Sequence, residues 1–361
     1  MNFTIHFHDF ISLCLQKDFK CRPKYKALLM TTYLNSWEEF KSVVEGTSRK
    51  LLKKTGFAQA ITQLTSLSAE MQDDELSQHA VLCHTEQARI YRKLNNNNEE
   101  RKQYVVAAHI LNNALQQIQE GPNSRSRAHG YLRREVTVLY SRAVKLCMEM
   151  KDLRIAGLTS LEAAKVLSKC MHHDMAAEHA QRAVRLLEGD FIAHTQALYC
   201  LATIHFRSYQ WGHLLADIDE IWMAIMKNRS KSPMGRRVLK DLEVITVLIL
   251  WKTQLSQSSS RHKMLMNLYA DTHVSHGWKK SASCQSANEN SALSLQEFLL
   301  VQNFLSLLTL RKIQEARILL LSCKSGFDRV EAADCIKSRL LFLSPLAVQV
   351  ILLFTDKCSL Y

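Results

Sequence analysis

Apolar residues recur three and four positions apart over one stretch of this chain after another, which predicts a succession of about thirteen amphipathic helices and no strands. The first begins with Ser36 as its N-cap before Trp37, carries Glu38 and Glu39 in its first turn, and ends in the basic residues 49–54 before Gly56. That charge order suits the helix dipole. Beyond Gly56, the residues Phe57, Ala60, Ile61, Leu64, Leu67 and Met71 share one face that another helix must cover. A helix opening at Asp73 or Asp74 runs through Leu94, and the asparagine run 95–98 separates it from one starting at Glu99 and Glu100. After the punctuation at 121–127, helices are expected at 131–150, 153–169, 174–187, 191–207 and 211–226, with connections short enough to make neighbours antiparallel. A last helical group is expected at 293–310, 313–323, 329–342 and 346–354.

Small residues sit where such hairpins need them. Tyr140, Ala143, Val144 and Cys147 are followed, past a turn at Leu153, by Ala156, Ser160 and Ala163. Ala176, Ala180 and Ala183 form another stripe, and Cys200, Tyr209, Gly212 and Ala216 repeat the spacing. Small side chains let helix axes approach closely. The spacing resembles a degenerate tetratricopeptide repeat, so the predicted fold is all-α, a tetratricopeptide-like stack of antiparallel helix hairpins, or α-solenoid. A plain antiparallel bundle with alanine-rich seams is the competing arrangement. The expected organisation is a partly ordered arm over 1–35, the stack over 36–255, a polar disordered loop over 256–292, and carboxy-terminal helices over 293–361 that dock on the stack or on a partner. Met264, Leu265, Leu268 and Tyr269 allow a short helical turn inside that loop.

With 47% apolar residues, 10 glycines and only 4 prolines in 361 residues, the chain can bury a large core and lacks the turn residues that sheets consume. Its formal charge of +13 points to acidic partners, but the excess is scattered and marks no specific nucleic-acid site. The cysteines form no CxxC pair and sit mostly in apolar stretches, as small buried hydrophobes do. Together with residues 1–15, which lack the cationic start of a secretion signal, they predict a reducing compartment, cytoplasmic or nuclear, rather than a place outside the cell. The apolar runs 244–251 and 340–354 fall short of the roughly 20 residues a membrane span needs, so no transmembrane segment is expected. The basic run 227–237 places Ser232 before Pro233, either a phosphorylatable nuclear-localisation-like cluster or a solvated connection.

No catalytic constellation interrupts the helices. His6 with His8, and His172 and His173 beside Cys170, lack the closed spacing of zinc sites. Residues 46–50 lack the first glycine and the preceding strand of a phosphate loop, and no GxSxG elbow occurs. Neither enzymatic activity nor a cofactor or metal is expected, so function is a matter of recognition. Trp211 and Trp222 lie about three turns apart on one helix face, where they either fill a seam or anchor a partner. With Leu346, Val350 and Phe354 of the last helix, they are the candidate partner-binding residues.

The runs FAQAITQL at 57–64, LSQHAVLCHTEQARIY at 76–91 and AAEHAQRAVRLL at 176–187 resemble the family of the forty-kilodalton huntingtin-associated protein, also called the factor VIII intron 22 protein. The likeness continues over 198–225, with Ser208 and Tyr209 at a hairpin turn, and again at 297–300. Where vertebrate members have an Ala/Gly-rich amino terminus and a proline-rich middle loop, this chain has a histidine-containing arm and a Ser/Asn-rich loop, as an invertebrate member would. The resemblance implies a tetratricopeptide-like stack clamped between the helical-repeat domains of huntingtin as a heterodimer, stabilising that scaffold and linking it to early endosomes through a Rab GTPase. Two other readings fit the same features: a trafficking adaptor resembling soluble NSF attachment proteins, and a basic nucleic-acid-associated factor. Apolar helix faces in excess for this length further imply poor solubility of the chain alone.

Overall fold

The computed structural model describes residues 36–47, 54–74, 76–119, 127–170, 172–227, 233–253, 259–270, 291–321 and 344–355. All regular structure among them is helical, in 14 helices. These are α1 (36–47), α2 (Lys54–Asp73), α3 (Ser77–Lys93), α4 (Asn97–Gln119), α5 (Arg127–Glu149), α6 (Leu153–Lys169) and α7 (His173–Leu186). There follow α8 (Phe191–Arg207), α9 (Trp211–Lys227), α10 (Pro233–Thr253), α11 (Ser260–Ala270), α12 (Leu295–Thr309), α13 (Ile313–Leu321) and α14 (Pro345–Thr355). They pack in consecutive pairs, an all-α, tetratricopeptide-like solenoid stack. The chain divides inside α8 into two compact units, Met1–His194 and Thr195–Tyr361.

In the first unit each of α2 to α6 packs on its successor, and side chains also reach the next helix but one. Trp37 of α1 meets His79 of α3 edge-on at 5.7 Å, and Lys93 of α3 donates to the Thr47 carbonyl at 2.9 Å. His109 of α4 pairs with Glu162 of α6 at 2.5 Å, and Arg154 of α6 with Asp190, ahead of α8, at 3.1 Å. Isolated hairpins would make no such contacts; stacked ones must.

The seam between α6 and α7 is built from small residues. α6 buries Ala156, Ser160, Ala163 and Ala164, and α7 buries Ala176, His179, Ala180 and Ala183, the last four at helical spacing. Gly157 carries the limit further, because a Cβ there would lie 2.6 Å from Leu187 Cγ. α5 supplies the bulk on the other side: Tyr140 is fully buried, and Val144 and Cys147 pack against Ala156.

Four turns pass through left-handed backbone without glycine, at Asn95 (φ 54°), Lys151 (60°), Tyr209 (57°) and Arg311 (57°). After each, the next amide donates to a carbonyl five residues back: Asn96 to Tyr91 at 2.9 Å, Asp152 to Cys147 at 3.0 Å, Gln210 to His205 at 2.9 Å and Lys312 to Leu307 at 2.8 Å. This Schellman closure satisfies helix-end carbonyls and reverses the chain within a few residues. The repeat is thus clearer in the backbone turns than in the side chains. Asp152 then caps α6, accepting from the Ile155 amide at 3.0 Å.

The second unit is organised by α10, whose residues 241–250 are all buried. Two carboxylates in that run fasten its neighbours. Asp241 accepts from the Ser344 amide at 2.6 Å and the Tyr199 hydroxyl at 3.2 Å, so it ties the head of α14 and the side of α8 to α10. Glu243 accepts from the Tyr269 hydroxyl at 2.9 Å, the Ser291 hydroxyl at 2.5 Å and the Ala292 amide at 2.7 Å, holding α11 and the approach to α12. Each carboxylate is costly to bury, and these bonds offset the cost. Burial pushes the Asp241 carboxyl up to about 6 against the opposing bonds from Ser344 and Tyr199.

Some boundaries differ from the sequence reading. Gly56 stands inside α2 rather than between helices, in a first turn where its amide needs no partner within the helix. Pro233 and Gly235 open α10 instead of forming a connection, Pro233 as its first residue, where the fixed φ and missing amide are tolerated. The polar stretch 256–292 contains α11, held by contacts with α9 and α10. Residues 244–250 of the apolar run 244–251 are buried in the core, and no described helix is long and apolar enough to cross a membrane. The arm 1–35, the helix expected at 329–342, and Ser232 lie outside the described residues.

Gly157→Ala is expected to lower stability by about 1–3 kcal/mol in urea denaturation, because the new methyl overlaps Leu187. Combined with Leu187→Ala it should cost less than the two changes added. Asp241 gives a pH signature. Its folded pKa of about 6 lies above its ordinary 3.8, so its stabilising contribution is full below 3.8 and is lost as pH rises through about 6. Urea unfolding of Asp241→Asn and wild type should therefore shift in the variant's favour as pH is raised from about 4 to about 7.

Candidate functional site

α9 carries both candidate tryptophans and is sharply two-sided. It buries Leu214, Leu215, Asp217, Ile218, Ile221 and Ile225, and leaves His213, Ala216, Glu220, Met223 and Met226 outward. Trp211 and Trp222 are both half-buried, at opposite ends and in different surroundings.

At the first end, Trp211 stands edge-on to Phe206 at 5.9 Å and to Tyr209 at 5.8 Å. Tyr209 is the left-handed residue of the α8–α9 turn, yet its side chain remains 66% exposed. A bulky residue in that conformation costs roughly 1–2 kcal/mol, and here burial does not offset it. Beside the cluster, His205 Nδ1 lies 2.6 Å from Asp217 Oδ2, with the outward His213 ring 5.3 Å from that of His205. Burial pushes the Asp217 carboxyl up, against the hydrogen bond from His205.

At the other end, Trp222 lies under the Arg261 guanidinium, 3.9 Å from its ring centroid. Arg261 pairs with Asp219 at 2.6 Å, and His262 Nε2 approaches the same carboxylate at 3.1 Å. Burial pushes the Asp219 carboxyl up, but the hydrogen bond and charge of His262, together with Arg261, hold it below its ordinary value. One face of Trp222 is thereby covered from within the chain, while Met223 and Met226 beside it remain exposed.

The other three candidates fare differently. Leu346 and Val350 are buried where α14 packs on α10 and α13, so their apolar surface is already taken up inside this chain. Phe354 belongs to α14, but its side chain lies outside the described set. The sequence pattern did not single out Phe206, Tyr209 or Arg261 as site residues. The spacing of Phe206, Tyr209 and Trp211 around one turn was the available signal for the aromatic cluster; Arg261 sits in the polar stretch and gave none.

Burial pushes the Cys83 thiol up to about 12, and also raises Cys147 and Cys170, which suppresses the nucleophilic thiolate. Among the described residues no group of three or more His, Cys, Asp and Glu could hold a metal ion; His6 and His8 lie outside them. An open groove of about 690 Å³ lies where α6, α7 and the head of α8 meet, lined by Leu153, Leu186, Leu187, Phe191 and Ile192 beside the Arg154–Asp190 pair. These surfaces offer aromatic, thioether and aliphatic contact.

Tyr209→Gly is expected to raise stability by about 1 kcal/mol in thermal unfolding, by relieving the left-handed backbone, while weakening capture of a protein partner. A residue serving only the turn would gain the same stability without affecting capture.

No family model matches this chain. It is similar to the uncharacterized protein T09A5.4 of Caenorhabditis elegans, 28% identical over 80 residues, which make up 22% of this chain. The match spans 27% of that protein's length.

Proposed function

We propose that this chain is a non-enzymatic protein-binding subunit that associates one-to-one with a large helical-repeat scaffold resembling huntingtin, and stabilises it. The observation that carries this reading is the outward side of the α8–α9 hairpin. It keeps the side chains of Tyr209, Met223 and Met226 largely in water, so that a large aromatic occupies a left-handed turn position that glycine would take at less cost. The sequence resemblance supports the identity of the partner, and the net charge of +13 supports an acidic surface on it. In the cell the complex would work in the cytoplasm, with access to the nucleus, and a Rab GTPase would link it to early endosomes.

Affinity purification of the full chain from cells at moderate salt tests the reading. Stoichiometric recovery of the helical-repeat scaffold is expected, with poor solubility of the chain when expressed without it. Recovery of SNARE proteins and their ATPase instead would favour a trafficking adaptor, and binding to added RNA or DNA that is lost steeply with salt would favour a nucleic-acid factor. Either result overturns the proposal.

A further inference from the structure

We infer that the seam of α9 and α11 in the second unit is a docking surface for an acidic amphipathic helix of a partner protein. The Asp219–Arg261 ion pair joins the two helices at 2.6 Å. Met223 follows Asp219 by four residues and Met264 follows Arg261 by three, so each stands one turn from the pair on the face that carries it. Met223 is 66% exposed, Met226 54% and Met264 41%, and Trp222, which precedes Met223 on α9, lies under Arg261. Three exposed methionines on two helices joined by an ion pair offer a soft surface that adapts to a helix inserted against it.

Two features commit the surface to one occupant. Lys227 follows Met226 and Lys263 precedes Met264, both exposed, while Glu220 is the exposed acid on the same side of α9 and Asp219 is paired. The apolar strip is therefore edged by cations on both helices, which fits carboxylates flanking an apolar stripe. An anionic membrane would meet the same charges, but Arg261 caps the Trp222 ring, so the large aromatic that would insert into a bilayer is covered on one face. The surface also has a rigid floor. Leu265 and Tyr269 of α11 are buried, and Tyr269 bonds Glu243 of α10 at 2.9 Å.

This inference rests on the protein-binding reading and is tested apart from it. The full chain, labelled at the methionine methyl groups, is titrated with a synthetic helix bearing leucines at i, i+3, i+4 and i+7 and glutamates elsewhere. Perturbation of the Met223, Met226 and Met264 signals is expected, with the buried Met71 signal unmoved. Met223→Gln with Met226→Gln should weaken binding by about tenfold or more. Lys227→Glu with Lys263→Glu should weaken it most at low salt. Equal binding of a scrambled peptide or of one with lysines for glutamates, perturbation of these signals by anionic vesicles but not by the peptide, or a change confined to other methionines would overturn the inference. If the methionine variant still recovers the helical-repeat scaffold as wild type does, this surface is wrong while the protein-binding reading stands; if wild type recovers no protein, that reading itself fails.

Discussion

How near two helices can come is set by the side chains between them, and in this chain the α6–α7 seam sets that distance. Gly157 facing Leu187, and alanines along both helices, let the pair close until backbone and side chain touch. Close packing of that pair brings Arg154 within reach of Asp190 past α7, and His109 reaches Glu162 past α5 in the same manner. Such polar links are partly exposed and individually weak, so they fix the spacing of a stack whose stability comes from burial.

The second unit meets the same requirement with a different device. Instead of small residues, α10 uses a run of wholly buried side chains containing Asp241 and Glu243, whose carboxylates accept from α8, α11, α14 and the approach to α12. An apolar helix can be covered in many registers, but a buried carboxylate accepts only partners placed at its oxygens. The register of the carboxy-terminal helix is therefore set by Ser344 at Asp241 as well as by the burial of Leu346 and Val350. That arrangement turns two residues expected at a partner surface into core.

Much of this was legible in the sequence wherever a helix carries its own start and stop signals. The expected spans 153–169 and 191–207 coincide with α6 and α8, because Asp152 and Asp190 accept from the first-turn amides and the following turns end each helix sharply. The periodicity misled where glycine and proline fall in a first turn, as at Gly56 and Pro233, since that position removes most of their penalty. α11 was legible only as a turn: its eleven residues are too few to be stable alone and are held by Arg261, His262 and Tyr269. At the candidate site, the two tryptophans were visible as aromatic residues of one helix. The strained Tyr209 backbone and the cover over Trp222 depend on tertiary placement, and no local pattern encodes them.

Under the proposed function, recognition would use surface left over after the helices have covered one another, on the α8–α9 hairpin and its seam with α11. Amide hydrogen exchange of the full chain, alone and in complex with the co-expressed helical-repeat scaffold, addresses this most directly. The account predicts new protection at the α8–α9 turn and along α9 and α11, with the buried α6–α7 seam unchanged. Protection appearing in that seam instead, or no change anywhere on the second unit, would contradict it.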